Sequence, residues 1–305
     1  MPTAVTPVIV SDNPQIYEDA HVHAIYEEIA PHFSSTRYKP WPVIAQFLSS
    51  LPTGWIGLDS GTGNGKYLPL PLERPGSVWT IGLDRSRNLL GIARNAGGGE
   101  ASREVVWGDV LGLPWRRGAF DYAISIATIH HLSTHARRKV AVQRIIESIS
   151  PVHGRALIYV WAIEQDELSK RSIPSEQSDE LNGQSKGQDV FVPWVLSQMS
   201  SKPKPSAKSS RTRSNGSGST YQEEEAVSPS PEDNTTGTSE KPAVFNRYYH
   251  MFAQANELGL VIGSPHELRV ESPDSKHIRN MTGIDIVQDG WERSNYYVEI
   301  RCWRK

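Results

Sequence analysis

Three times before residue 110 a short apolar run closes on an aspartate, and the first of these leads straight into glycines at alternate positions. Trp55-Ile-Gly-Leu-Asp59 enters Ser60-Gly61-Thr62-Gly63-Asn64-Gly65, Val78-Trp-Thr-Ile-Gly-Leu-Asp84 repeats the grammar, and Val105-Val-Trp-Gly-Asp109 does so again. Phe120-Asp-Tyr-Ala-Ile-Ser-Ile126 and Ala156-Leu-Ile-Tyr-Val-Trp161 read as further buried strands. Helical spacing marks Ile16 to Ile29, Val43 to Leu51, Arg87 to Ala96 and Ala136 to Ser150, and a further helix is expected to follow the glycines from Lys66. Strands alternating with helices pair in parallel through right-handed crossovers, which predicts an α/β, doubly wound sheet.

Beyond Glu164 this pattern fails. Only 37% of the 305 residues are apolar, and the polar excess is concentrated. The 46 residues from Ser197 to Pro242 hold 12 Ser and 5 Pro, with Met199, Ala207, Tyr221, Ala226 and Val227 alone as apolar members. Such a stretch cannot bury enough surface to offset its ordering entropy. The expected organisation is a tail over 1–20, a cofactor-binding half over 21–165, an insertion over 166–242 disordered from 197, and a part over 243–305 that completes the same domain. In that last part a helix is expected through Tyr248, Met251, Phe252 and Leu258, then two closing strands, Gly283 to Asp289 and Tyr296 to Cys302, around Gly290.

The chain has one cysteine, Cys302, so an internal disulfide framework and a multi-cysteine zinc site are excluded, and no metal site is expected. No apolar run reaches a membrane span, and the first twelve residues carry no basic leader. A reducing compartment is expected, the cytoplasm first and the nucleus second. With 32 basic and 34 acidic side chains, a polyanion would have to meet a local basic face.

The glycine loop has the form G-x-G-x-G, without the G-K-[ST] of a triphosphate cradle or the spacing of a dinucleotide fingerprint. Asp84, 23 residues after Gly61, is placed to take ribose hydroxyls, and Asp109 to reach an adenine amino group. Three acids around one glycine turn suit a positively charged ligand, which favours S-adenosylmethionine over a nicotinamide cofactor. After the fourth strand, His130 and His131 leave a carboxyl end, where open sheets bind ligands. Ahead of the first strand, Thr36-Arg-Tyr-Lys-Pro-Trp41 packs two cations and two aromatics into six residues, suited either to a solvated turn or to stacking on an unpaired base with phosphate contacts. Arg137-Arg-Lys139 and Arg116-Arg117 read as solvated charge, with contacts to backbone phosphates as the alternative.

Asp59 to Tyr67, Ile81 to Ser86, Phe120 to Thr134 and Ala156 to Ala162 resemble the tRNA wobble-uridine carboxymethyl methyltransferases, as do Ala30 to Pro42, Gln188-Asp-Val-Phe-Val-Pro-Trp194 and Arg247-Tyr-Tyr-His250. Ser60 and Thr62 depart from the family, which usually carries a small apolar residue and cysteine there. The resemblance implies a Rossmann-like class I methyltransferase sheet, mostly parallel with an antiparallel closing strand and helices on both faces. It implies esterification of the carboxylate of 5-carboxymethyluridine in the tRNA anticodon loop, with S-adenosylmethionine as donor. A small zinc-binding activator subunit is the implied partner, making a heterodimer.

The candidate cofactor set is Asp59, Gly61, Gly63, Asn64, Gly65, Asp84, Arg85, Asp109, Val110 and Ile126. Arg37, Tyr38, Lys39 and Trp41 are the candidate tRNA contacts. Arg37, His130, His131 and Trp161 are expected at the reacting groups, Arg37 or Lys39 orienting the substrate, a histidine steering its oxygens and Trp161 walling the base. A small-molecule carboxylate or amine methyltransferase and a non-catalytic scaffold that binds tRNA or the activator are the alternatives.

Overall fold

The computed structural model describes residues 3–10, 13–37, 39–98, 102–167, 169, 171–173, 187–196, 243–253 and 282–304. The elements run β1 (Thr3–Ala4), β2 (Thr6–Pro7), α1 (Pro14–Glu18), a π turn (Asp19–His23), α2 (Ala24–Thr36), α3 (Pro42–Ser49), β3 (Trp55–Ser60) and β4 (Val78–Asp84). Then come α4 (Arg87–Ala93), β5 (Val105–Trp107), β6 (Tyr122–Ile126), a 3-10 turn (Ile129–His131), α5 (His135–Ser148) and β7 (Arg155–Trp161). β8 (Arg171–Ser172), β9 (Gln188–Val195), β10 (Val244–Met251), β11 (Thr282–Glu292) and β12 (Asn295–Arg304) complete the set.

Seven strands form the main sheet in the order β11-β12-β7-β6-β3-β4-β5. Strands β7, β6, β3, β4 and β5 pair in parallel. β12 pairs antiparallel with both β7 and β11, so it alone runs against the other six. The two-residue pleat explains why helices cover both faces. Tyr122, Ile124, Ile126, Leu157 and Tyr159 pack with Ile44, Phe47 and Leu48 of α3, while Ala123, Ala156, Ile158 and Val160 pack with Ala141, Val142 and Ile145 of α5. The doubly wound reading holds, with its antiparallel closing strand.

Four local expectations do not hold. No helix follows the glycine loop: Gly65, Leu68 and Leu70 donate their N–H groups only three residues back, and Pro69 and Pro71 have no N–H to continue a ladder. Val244–Met251 is a strand rather than a helix, because Val, Phe and paired Tyr suit a pleat and β10 hydrogen-bonds to β9; Leu258 lies outside the described residues. The closing hairpin turns at Arg293 and Ser294, with φ of 48° and 60°, and Gly290 sits inside β11 opposite Tyr297. The stretch read as a tail is built in: β2 pairs antiparallel with β9, and Glu18 of α1 is fully buried.

These departures create a second sheet, β10-β9-β2, that was not expected from the sequence. Residues 197–242, expected to be disordered, lie outside the described residues. Met1–Trp194 and Val244–Lys305 make one compact unit and Val195–Ala243 another. No described helix is long and apolar enough to cross a membrane.

Candidate functional site

Strand order reverses between β3 and β6, and the crevice at their carboxyl ends is where an open sheet binds ligands. From β3 the chain enters the glycine turn. Gly61 has φ +87°, and a Cβ there would collide with the Thr128 side chain, whose Oγ1 donates to the Gly61 carbonyl at 3.2 Å. Gly63 has φ +57° and opens on space, with nothing within 4 Å of where a Cβ would stand. Gly61 thus closes the β3 and β6 ends together, and Gly63 leaves room beside them. On the β6 side Ala127 carries φ 55°, a left-handed conformation uncommon for a residue with a Cβ.

The acids divide the work. Asp59 is 1% exposed; its Oδ2 accepts from Thr62 Oγ1 at 2.7 Å, and its Oδ1 has no hydrogen-bond partner. Burial pushes its carboxyl up to about 7, partly offset by the Thr62 bond. Thr62, the departure from the family pattern, therefore holds this acid. Asp84 receives the Gly63 N–H at 2.8 Å on one oxygen and the Ser86 N–H at 2.9 Å on the other, so it ties the glycine turn to the start of α4. Burial raises its pKa while these bonds pull the other way. A carboxylate has about four lone-pair sites, which leaves acceptor capacity for a ribose.

Asp109 is committed otherwise than the sequence suggested. Its Oδ2 meets Arg85 Nη1 at 3.2 Å, Arg85 Nη2 reaches Asp19 at 3.0 Å, and Asp109 Oδ1 takes the Leu111 N–H. Asp109 and Arg85 form a clamp from β5 to the π turn. Val110 packs on the core of the sheet, and Ile126 is buried at the β6 end. Asn64 Nδ2 donates to the Arg37 carbonyl at 3.0 Å, joining the glycine turn to the end of α2. Gly65 backs directly onto Ala93 of α4.

The histidines follow β6 in the 3-10 turn, and both nitrogens of His131 are spoken for. His130 is fully buried and its Nδ1 accepts the Trp161 N–H at 3.2 Å, which puts the ring proton on Nε2. His131 Nδ1 sits 2.9 Å from the Tyr248 carbonyl and must donate to it; Nε2, 3.1 Å from Tyr26 Oη, must accept. Burial drives its pKa down to about 3, the Tyr248 carbonyl opposing this and Arg247 and His23 reinforcing it. His131 is a neutral strut with both nitrogens used, which corrects its expected role as a donor to substrate. Trp161 is stacked on Tyr249 at 4.1 Å and 4°, so one of its faces is covered.

Of the basic-aromatic cluster before β3, Trp41 is a correction: it packs on Tyr159 at 4.7 Å with the Lys66 ammonium 4.6 Å from its ring, a wall of the core rather than a free stacking platform. Arg37 lies 5.5 Å over Trp194, Lys39 is exposed, and Tyr38 lies outside the described residues. Arg137, read as solvated, instead grips Glu18 with Nε and Nη2 at 2.8 and 2.7 Å.

Several site residues were missed. Lys66 is pulled down to about 8 by burial, with Arg37 reinforcing and Asp59 opposing. Glu27 of α2 accepts from Ser86 Oγ at 2.6 Å and from the Asn88 N–H at 3.2 Å, capping α4. Tyr26, Arg247 and Tyr249 converge beside His131, and only the Arg247-Tyr-Tyr-His250 run hinted at them.

Comparison with known proteins bears on this site. Residues 58–151 match the family described as a methyltransferase domain. The chain is 45% identical over 187 residues to the tRNA (carboxymethyluridine(34)-5-O)-methyltransferase of Saccharomyces cerevisiae, covering 61% of each. It is 36% identical over 282 residues to the Schizosaccharomyces pombe protein of the same name, covering 92% of this chain and 96% of that one. Against the Xenopus tropicalis alkbh8 protein it is 36% identical and covers 36% of that protein's length. It thus spans nearly the whole of the fission-yeast relative but under two thirds of the other two. Among solved structures, the Burkholderia thailandensis 1,6-didemethyltoxoflavin-N1-methyltransferase aligns over 99% of this chain and 94% of its own, at 14% identity and a TM-score of 0.53, a likeness of fold.

Proposed function

The chain belongs to the tRNA (carboxymethyluridine(34)-5-O)-methyltransferase family, and we propose that it transfers a methyl group from S-adenosylmethionine to the carboxylate of 5-carboxymethyluridine at the tRNA wobble position. The observation that carries this reading is the acid-lined glycine turn opening beside a wall of arginine and aromatic side chains.

The residues present fit the donor. Asp59 keeps a buried oxygen without a partner, Gly63 leaves open space, and Asp84 sits at the end of β4, an arrangement suited to a cation carrying a ribose. When bound, S-adenosylmethionine supplies an electrophilic methyl group on a positively charged sulfur. Asp59 would then favour the charged donor, Asp84 would hold the ribose, and the space beside Gly63 would admit the backbone-hugging part of the ligand.

The substrate needs no base. A carboxylate with an ordinary pKa of about 4 is already ionised at neutral pH. A neutral, fully hydrogen-bonded His131 agrees with this, since its part is to hold Tyr26 in place. What remains for the chain is to place a carboxylate oxygen in line with the methyl carbon, at about 3 to 3.5 Å, and to keep water out.

The same reading gives the chain a small zinc-binding activator subunit. Its support beyond the resemblance is the edge of the main sheet: β5 ends the strand order, and Trp107 on it is 60% exposed, with Trp79 of the adjoining β4 51% exposed. An edge with exposed aromatics invites a partner.

Methyl transfer by purified protein, with the activator, to tRNA carrying 5-carboxymethyluridine is the test. The expected product is the methyl ester on that tRNA and none on free carboxylic acids. Equal activity on free acids would move the chain to the small-molecule class. Donor binding without transfer to any acceptor would make it a scaffold.

A further inference from the structure

Arg247 on β10 holds a positive charge where the described residues provide no negative one. The residue is 4% exposed. Its Nη1 donates to Tyr26 Oη at 3.2 Å, and its Nε is buried with no acceptor. No carboxylate pairs with it among the described residues. Arg137 and Arg155, also set into the protein, each hold a buried acid, Glu18 at 2.7 Å and Glu299 at 2.6 Å. A buried charge without a counterion is costly, so such a charge is kept where something else pairs with it.

The surroundings of Arg247 tell what that is. Its guanidinium lies 4.5 Å from the Trp194 ring centre and 5.2 Å from Tyr249. Arg37 stands over the same Trp194 ring at 5.5 Å, with its Nη1 donating to the neighbouring Thr36 carbonyl at 3.2 Å. The Trp194 Nε1 is itself buried without an acceptor. Two guanidinium groups and an indole N–H therefore gather around one ring, with ring faces softening the charge and no anion among them. This lies beside the carboxyl ends of β6 and β7, because Tyr249 stacks on Trp161, the last residue of β7, and shares Tyr26 with His131 of the turn after β6.

We propose that Arg247, with Arg37 across the Trp194 ring, forms an oxyanion subsite for the RNA substrate. The occupant is the carboxylate of the modified uridine or a phosphate of the anticodon loop, which present the same pair of acceptor oxygens to an arginine fork. The depth of Arg247 and its contact with the Tyr26–His131–Tyr249 group favour the carboxylate. The proposal rests on the reading of the chain as a tRNA carboxylate methyltransferase. It places the substrate clamp on β10, in a part of the sequence remote from the cluster before β3.

Affinity measured without turnover tests it, with full-length protein and its activator. Two tRNAs are compared, one carrying 5-carboxymethyluridine and one with unmodified uridine, against wild type, Arg247→Gln and Arg247→Lys. If the carboxylate is the occupant, Arg247→Gln weakens the modified tRNA by about 10-fold or more, as loss of a charged hydrogen bond should, and leaves the unmodified tRNA unchanged. If a phosphate is the occupant, both tRNAs weaken equally and the salt dependence of binding drops by about one ion. Either result supports the subsite. Unchanged affinity for both tRNAs in a folded Arg247→Gln protein overturns it. Should that variant not fold, Arg247→Lys decides: an ammonium cannot reproduce the fork, so wild-type affinity there also overturns the proposal. Failure of the wild type to methylate would count against the activity and leave these binding arms intact.

Discussion

The raised pKa of Asp59 makes donor binding depend on pH in a direction that can be worked out. With the folded carboxyl at about 7 and the unfolded one at its ordinary 3.8, the folded protein holds the extra proton between those values. Without ligand, Asp59 therefore contributes stability below about pH 4 that is lost as pH rises through about 7. A cation prefers the ionised form, so affinity for S-adenosylmethionine should run the other way. The ionised fraction is about a tenth at pH 6.0 and about three quarters at pH 7.5, which gives up to about eightfold tighter binding, or about 1.2 kcal/mol. Calorimetric titration in two buffers of different ionisation enthalpy reads both quantities: close to one proton released per donor bound at pH 6.0, and only a fraction at pH 7.5. Asp59→Asn should bind weakly and show no slope. Thr62→Val removes the bond that lowers the Asp59 pKa, so its binding midpoint should move to higher pH. Equal affinity at the two pH values, or a slope that survives in Asp59→Asn, would refute the assignment.

Three further outcomes are expected. Arg137→Ala leaves Glu18 buried without its bidentate partner and should cost about 3 to 5 kcal/mol in urea unfolding, with part recovered by adding Glu18→Gln; a loss within error of zero would mean the pair is solvated after all. Gly63→Ala should fold, with a backbone cost of about 1 kcal/mol, yet lose donor affinity because its methyl enters the crevice, whereas Gly61→Ala should lower the melting temperature sharply by striking Thr128. In a histidine-labelled sample, the His131 nitrogen shifts should report one neutral tautomer, protonated on Nδ1, from pH 5 to 8; a resonance titrating near 6.5 would remove it from the buried network.

The main sheet was legible because parallel strands covered on both faces must be nearly continuous apolar runs, and the first three of these reach an aspartate at or just past their carboxyl ends. Asp59, Asp84 and Asp109 marked those exits, so the place of the site could be read even where the partners of each acid could not. Asp109 illustrates the limit: a strand-terminal aspartate looks alike whether it meets a ligand or Arg85, and the arginine's second contact, Asp19, comes from a segment read as a tail. Val244–Met251 shows another. An eight-residue stretch mixing apolar, aromatic and polar residues has no decisive period, and pairing with β9 settles it as a strand. Having taken it for a helix, sequence reasoning could not place Arg247 and Tyr249 on one face of β10. Nor could it bring them to Tyr26, more than 220 positions away.

The distribution of charge across the crevice follows from the reaction proposed for it. On the donor side stand Asp59 and Asp84, acids that favour a cation. On the acceptor side stand Arg247 and Arg37, cations with no anion among the described residues. Beside Arg247, His131 is held neutral by two hydrogen bonds, one of them through Tyr26 to that arginine. A charged histidine there would sit beside Arg247 and compete for the same anion, so its low pKa protects the subsite as much as it excludes base catalysis. Methyl transfer from a cation to an anion cancels both charges. Strong fixed ion pairs on either reactant would therefore stabilise the ground state more than the transition state. The arrangement limits this on both sides: Asp59 is half ionised near neutral pH, and the Arg247 charge is shared with three aromatic rings. Each reactant is held, and neither is held so firmly that losing its charge is opposed.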